Sequence, residues 1–266
     1  MIALRRLFIS LALAAAAIGS SASAGAQGRL VADLSKHRVN ITIGFTGSDV
    51  LLFGATGGKG DVVVVVRGPV GTIVVRRKAR VAGIWINRDR RVFESVPAFY
   101  TISSSKPLKQ IVSLAVAKRH GIGLENLGIR SRDKGLSASE TYTYRAALLR
   151  IRRANALYSA PQGRGACSDK SLVDEPGSVR FLGERLFRTT VCFPSNVTVG
   201  TYLVQVFLIR NGQVVSAQTT PLFVNRTGIG AAVFDFAHRW PAFYGLIAVA
   251  LAVMAGLAAG QIFRRR

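Results

Sequence analysis

The chain has 266 residues, with 36 Lys and Arg against 13 Asp and Glu, a formal net charge of +23, 49% hydrophobic residues and only 18% charged ones. This excludes a disordered basic tail, which requires low hydrophobicity, and so little total charge is unusual for an ordinary cytosolic globule of this basicity. Basic charge on an apolar background points to a membrane-associated protein or a nucleic-acid binder, in a length that suits one or two domains.

The N-terminus has the three parts of a secretory signal. Arg5 and Arg6 form a short positive region, and residues 7–18 are apolar or small, broken only by Ser10. Two overlapping A-x-A patterns follow, Ala22-Ser23-Ala24 and Ala24-Gly25-Ala26, so cleavage is expected after Ala24 or Ala26. A run this short is a poor membrane span.

Residues 29–100 read as β structure. Val39, Ile41, Ile43 and Phe45 alternate along one face, and a Thr46-Gly47-Ser48 turn leads into a strand over 49–53. Residues 62–66 are five consecutive valines, the pattern of a strand covered on both faces. Arg67-Gly68-Pro69 stops it, and short strands are expected over 72–75, 80–86 and 91–93. The spacing of the turn residues suits a sandwich or small barrel. Residues 54–61 (GATGGKGD) look superficially like a phosphate loop. A P-loop, however, needs Gly where Phe53 stands and Ser or Thr where Gly60 stands, and it opens a helix. The segment is read as a flexible hairpin loop.

Two basic clusters flank Trp85. Arg76, Arg77, Lys78 and Arg80 are expected between two strands, and Arg88, Arg90 and Arg91 in a following turn. They form the candidate surface for an anion or a partner, because guanidinium forks suit sulfate-like and phosphate-like groups. They are also the charges that keep a strand edge from aggregating.

The period then changes. Pro107 suits a helix start, Leu108, Ile111, Val112 and Ala115 fall on one helical face, and Gly121 is a terminator. A second helix begins with the capping-box pattern Ser137-x-x-Glu140. Its apolar stripe is expected at Tyr144, Ala147, Ile151, Ala154 and Tyr158, with Arg145, Arg152 and Arg153 on the opposite side as a solvated face or an anionic contact surface.

Residues 161–175 are loop-like, and strands return over 186–193, 202–209 and 213–224. Asn211-Gly212 is a tight-hairpin signal. Residues 202–209 are apolar on both faces, as in an inner strand. Cys167 and Cys192, the only cysteines, are expected to pair in an oxidising compartment, closing a loop worth roughly 3 kcal/mol.

Residues 225–236 read as a Gly-containing linker. Residues 242–259 carry no charge and are long enough to cross a core ~30 Å thick. Trp240, Phe243 and Tyr244 mark one interface, while Arg264, Arg265 and Arg266 form a membrane stop on the cytoplasmic side. The bulk of the chain is then expected outside a bacterial inner membrane, in the periplasm, with the C-terminus cytoplasmic. Long domains translocate regardless of their charge, and this location removes nucleic acid as a partner.

The chain resembles a family of alphaproteobacterial transmembrane proteins of unknown function. The matching stretches are FTGSDVLLFGATGGKGDVVVVV at 45–66, RGP at 67–69, VVRRK at 74–78, GIWIN at 83–87, PAFY at 97–100 and the YGL…GQIFRRR ending from Tyr244. The resemblance implies a signal peptide, one periplasmic region and one C-terminal span, and a genetic neighbourhood with sulfite-exporter-like permeases. It carries over no catalytic residues.

The residues themselves suggest no reaction. His37, His120 and His238 lie far apart and lack i,i+4 ligand spacing, no G-x-S-x-G elbow occurs, and the carboxylates are scattered. No cofactor or metal is expected, and no enzyme activity.

The expected fold is mainly β with a helical insert. It has two Ig-like β-sandwich lobes, or one sandwich interrupted by helices, plus one C-terminal transmembrane helix. The expected boundaries are a signal peptide over 1–26, a first β lobe over 27–105, a helical segment over 106–160 and a second β lobe over 161–228. A linker over 229–240, a span over 241–263 and a tail over 264–266 complete the chain. The expected function is binding or assisting a membrane or envelope partner, with anionic lipid or a small oxyanion as the candidate ligand. The alternatives are an oxyanion-binding accessory to a sulfite-exporter-like permease and an envelope enzyme with a spatially assembled site.

Overall fold

The computed structural model describes residues 30–133, 135, 137–159 and 178–264. The expected signal peptide, Cys167, Arg265 and Arg266 lie outside the described residues. Seven strands come first: β1 (Leu30–Leu34), β2 (Arg38–Ile41), β3 (Gly47–Thr56), β4 (Asp61–Arg67), β5 (Val70–Val81), β6 (Ile84–Pro97) and β7 (Tyr100–Ser104). A helical stretch follows, with α1 (Leu108–Ile111), α2 (Leu114–His120), a 3-10 turn (Leu124–Asn126), the short β8 (Arg130–Ser131) and α3 (Ala138–Ala154). Then come β9 (Arg180–Leu182), β10 (Leu186–Pro194), β11 (Gly200–Arg210) and β12 (Gln213–Arg226), and finally the helices α4 (Ile229–Arg239) and α5 (Pro241–Arg264).

One sheet has the order β1-β3-β10-β9 and a second the order β2-β12-β11-β4-β7, while β5, β6 and β8 form a separate ribbon. The β strands on either side of the helical stretch are interleaved. Strand β3 pairs antiparallel with β10, and β4 with β11. Of the two arrangements expected for the β regions, the sheets therefore take the interrupted sandwich.

The valine strand explains the layering. Val62, Val63, Val64, Val65 and Val66 are all fully buried, so both faces of β4 must be covered. Register assigns the faces. Val64 lies opposite Val206, Val66 opposite Val204 and Val62 opposite Leu208. These residues, with Tyr202 and Leu222, face the first sheet, whose own inner face presents Leu30, Ala32, Leu34, Val50, Leu52, Phe187, Val191 and Phe193. On the reverse side, Val63 lies opposite Phe207 and Ser104, and Val65 opposite Gln205 and Ile102. The helical stretch covers this face; the His120 ring packs on Phe207 at 5.3 Å. Each fully buried valine contributes roughly 1.5–3 kcal/mol, which makes the helical cover part of the core.

Three aromatic rings join the layers at one end. Phe193 of β10 lies 5.1 Å from Phe99, which follows β6, and 5.6 Å from Tyr202 of β11; Phe99 and Tyr202 are 5.8 Å apart. At the edge, Gln218 of β12 acts as a substitute strand for β1. Its amide accepts from Ala32 N–H and donates to Ala32 C=O, both at 2.8 Å, so the middle residue of a free strand edge is satisfied. Gly54 is required on β3, because a Cβ there would meet Val31 O at 2.4 Å and the Phe187 ring at 2.6 Å.

Several local expectations are corrected. The 54–61 segment is no hairpin. Strand β3 ends at Thr56 in one sheet and β4 begins at Asp61 in the other, so the loop crosses between layers. The alternation over 39–45 ends early: β2 stops at Ile41, and Ile43 is 93% exposed. The first helix is broken in two. Val112 leaves helical geometry to bridge Gly212, and the Ser113 side chain accepts from Val116 N–H to restart α2. Gly121 closes α2 in the left-handed conformation, as expected. The Ser137–Glu140 capping box also forms, but α3 buries Tyr144 and Leu148 rather than Ile151, which is half-exposed. The Asn211-Gly212 turn forms with positive φ at both residues, joining β11 to β12. The linker region is helical (α4), and α5 over Pro241–Phe263 is long and apolar enough to cross a membrane.

The aromatic junction gives a direct test. Phe193→Ala is expected to cost about 3–5 kcal/mol, through lost transfer energy and the cavity left behind. Val31→Thr, on the solvent face of β1, is expected to stay within about 0.5 kcal/mol. Urea unfolding of the full chain in detergent reads both.

Candidate functional site

The seven basic residues flanking Trp85 lie on a continuous ribbon. Sequence reasoning puts them between strands and in a turn, but Arg76, Arg77, Lys78 and Arg80 are on β5, and Arg88, Arg90 and Arg91 on β6. The only turn is Ala82-Gly83, with φ of 48° and 83°, which fits the primed turns that match strand twist. The misreading has a physical cause. A ribbon that projects from the sandwich has no buried face over its outer half, so its sequence lacks the alternation that marks a half-buried strand.

Register sorts the cations. Arg76 lies directly opposite Arg90, Arg77 opposite Asp89 and Val75 opposite Arg91. The pairing then shifts by one residue, leaving Arg88 in a bulge, so that Lys78 opposes Asn87 and Arg80 opposes Trp85. One face therefore carries Arg76, Arg90, Lys78 and Arg80 with Trp85, since paired residues share a face and alternate along each strand. The other face carries Arg77, Asp89 and Arg91 and turns toward α3.

The two faces differ in charge balance. Arg77 makes a short ion pair with Asp89, whose hydrogen bond and charge push the guanidinium pKa above its ordinary value. Arg91 is half-buried, lies 5.3 Å over the Tyr144 ring and donates to Arg90 O at 2.8 Å. These two cations serve the fold. Arg76, Lys78, Arg88 and Arg90 are exposed and, among the described residues, no carboxylate pairs with them. Arg80 is also exposed, and its Nε donates to Gly83 O at 3.2 Å. Like charges placed opposite one another destabilise a strand pair, so the Arg76–Arg90 pair has a local cost that an anion would relieve.

A second polar site escaped sequence reasoning. Arg67, at the end of the valine strand, reaches across the reverse face of its sheet. It donates to Gln205 and His120 C=O through short bonds and to Gly121 C=O at 3.0 Å, and its guanidinium carbon lies 6.0 Å from the Tyr100 ring centre. The Tyr100 hydroxyl donates to Gly121 C=O and accepts from Gly123 N–H, both at 2.9 Å. This cluster pins the end of α2 to the sheet. A Cβ on Gly121 would come within 3.0 Å of the Arg67 guanidinium. Beside it lies a cavity of about 430 Å³, lined by Tyr100, Ile102, Leu108, Val112, Ile122 and Leu124, with Lys109, Glu125, Asn126, Arg153 and Ser159 as its polar groups. Its lining holds one carboxylate and no histidine. The sequence signal was Arg67 itself, a charge placed in phase with the reverse-facing valines, but its partners are known only once register is fixed.

The histidines stay apart. His37 pairs with Asp33 at 3.0 Å on the surface, His120 packs on Phe207, and His238 bonds Phe234 C=O on α4 at 2.9 Å. Among the described residues no three His, Cys, Asp or Glu gather as a metal site. Cys192 lies on β10 with intermediate burial.

Over residues 29–265 the chain matches the model of a family described as "Putative transmembrane protein (Alph_Pro_TM)". It belongs to that family of transmembrane proteins. No curated protein and no solved structure matches it.

The tyrosines set an alkaline limit. Burial pushes Tyr100, Tyr158 and Tyr202 from 10.0 up to about 12. Between these values the folded state keeps protons that the unfolded state has lost. Their stabilising contribution is therefore full below pH 10 and lost as pH rises through about 12. Ultraviolet titration is expected to show Tyr100, Tyr158 and Tyr202 ionising late, together with unfolding. Tyr100→Phe is expected to remove one late step.

Proposed function

We propose that this is a non-enzymatic, single-span protein of a bacterial inner membrane, whose β-rich region is exported to the periplasm and binds or assists a membrane or envelope partner. The observation that carries the reading is the basic face of the ribbon. Arg76, Arg90, Lys78 and Arg80 share one exposed surface, on a chain whose α5 is long and apolar enough to span a bilayer. A cationic surface beside a membrane recruits anionic groups. The orientation follows from the signal-like N-terminus and from Arg264, Arg265 and Arg266 at the end of the span. A Cys167–Cys192 bridge belongs to the same reading. It is supported by the oxidising compartment and by the lack of any free cysteine among the described residues.

Photo-crosslinkers placed at Arg76 and Arg90 of the full chain in native membranes are expected to capture a stoichiometric envelope or membrane protein. Recovery of none would count against the reading. Protease added to spheroplasts is expected to remove the β region and leave α5 protected.

One observation favours a second reading, a small-oxyanion accessory to a sulfite-exporter-like permease. The opposed Arg76 and Arg90 guanidinium groups offer two forks to one anion. Calorimetry on the full chain in detergent with sulfite, sulfate and phosphate tests it. Heat that disappears in Arg76→Gln supports it, and no heat at millimolar ligand sinks it.

A further inference from the structure

The tip of the ribbon carries more than charge. Val81 is 45% exposed, Ile84 68%, Trp85 66% and Ile86 42%. Val81 and Ile84 flank the turn as a direct pair, with Ile86 opposite Ala79 on the same face, and Trp85 sits on the other face opposite Arg80. Lys78, Arg80 and Arg88 ring this apolar end. Protection of a strand edge explains the cations, since β5 is an edge strand. It does not explain four large apolar side chains left in water at a turn, where polar residues would do.

We propose that the Val81–Ile84 end of the ribbon is a membrane-docking wedge. Its apolar side chains and Trp85 enter the interface of a bilayer, and Lys78, Arg80 and Arg88 contact anionic lipid headgroups. The inference rests on the reading of the ribbon as an anion-facing surface and names what its tip takes.

Three features select a bilayer as the occupant. A membrane is always within reach, because α5 of the same chain is apolar enough to span one. The root of the ribbon leaves the sandwich at the end that leads to the span: Pro69, just before β5, packs against Gly200, Gly200 lies opposite Val224, and β12 ends two residues later at Arg226 before α4 begins. From that root the 12-residue β5 extends roughly 40 Å at strand rise. The tip also joins the two components of interfacial binding, an aromatic-containing apolar end and a basic collar. Docking there would add a second contact to the span and fix the sandwich against the bilayer.

Two tryptophans are present, so Trp240→Phe leaves Trp85 as a single reporter. The full chain with this change is reconstituted into vesicles of phosphatidylethanolamine with 30% phosphatidylglycerol, and into phosphatidylcholine vesicles, each with and without lipids carrying a nitroxide on the acyl chain. The expected result is a blue-shifted Trp85 emission quenched by the nitroxide in the anionic vesicles, and weaker quenching in phosphatidylcholine. Changing Lys78 and Arg80 to Gln is expected to weaken docking roughly fivefold per base removed. Ile84→Ser is expected to lose it while leaving the urea unfolding midpoint unchanged. Emission that stays red and open to aqueous acrylamide in both vesicles overturns the proposal. So does a Trp85 shielded from acrylamide yet unquenched by lipid, which would mean that protein covers the tip. Because these vesicles contain no other protein, the outcome is independent of whether crosslinking in native membranes finds a partner.

Discussion

The architecture depends on one constraint: the centre of β4 is five consecutive valines and has no polar face. A half-buried strand can leave one side to water, but this one loses hydrophobic stabilisation wherever either side is bare. The sandwich covers one side with the inner face of the β1-β3-β10-β9 sheet. The other side needs a second cover, supplied by the stretch from Tyr100 to Tyr158. The helical segment that supplies it lies between two β regions whose strands pair with each other, β3 with β10 and β4 with β11.

That cover is fastened by polar groups at the point where the valine run ends. Arg67 reaches from the strand to the carbonyls of His120 and Gly121, and the Tyr100 hydroxyl bridges Gly121 and Gly123. The last carbonyls of a helix lack intrahelical partners and must find others. Here a guanidinium and a phenol meet them at a half-buried position. Burial raises the Tyr100 pKa against this pairing, since the Gly123 N–H and the charge of Arg67 both act to lower it. A cavity lies beside this cluster, between the short helices and the sheet.

The ribbon obeys a different rule. Its inner half is held by Phe93 and Val75 in the core and by Arg91 stacked on Tyr144, and its outer half has no such support. Arg77 and Asp89 neutralise each other on the face toward α3, whereas Arg76 and Arg90 oppose each other on the free face. A fold under selection for stability alone would place a carboxylate in one of those positions. Charge is thus distributed unevenly between the two faces of one hairpin, the same ribbon that carries the exposed apolar tip.

Elements whose cause is local can be read directly from the residues. The span follows from its uninterrupted apolar length, the doubly covered β4 from its valines, the β11–β12 hairpin from Asn211-Gly212, and the start of α3 from Ser137 and Glu140. The family resemblance was legible for the same reason, because short linear stretches carry it. Tertiary structure alone decided how the two β regions combine, since pairing of β3 with β10 joins residues well over a hundred positions apart and no local signal encodes it. It also decided the meaning of the arginines. Their number is plain in the sequence, but which of them face each other depends on a one-residue bulge at Arg88, and a shift of one residue turns every later side chain to the opposite face. Charge is a property of residues, whereas a charged surface is a property of register, and only the paired strands fix register.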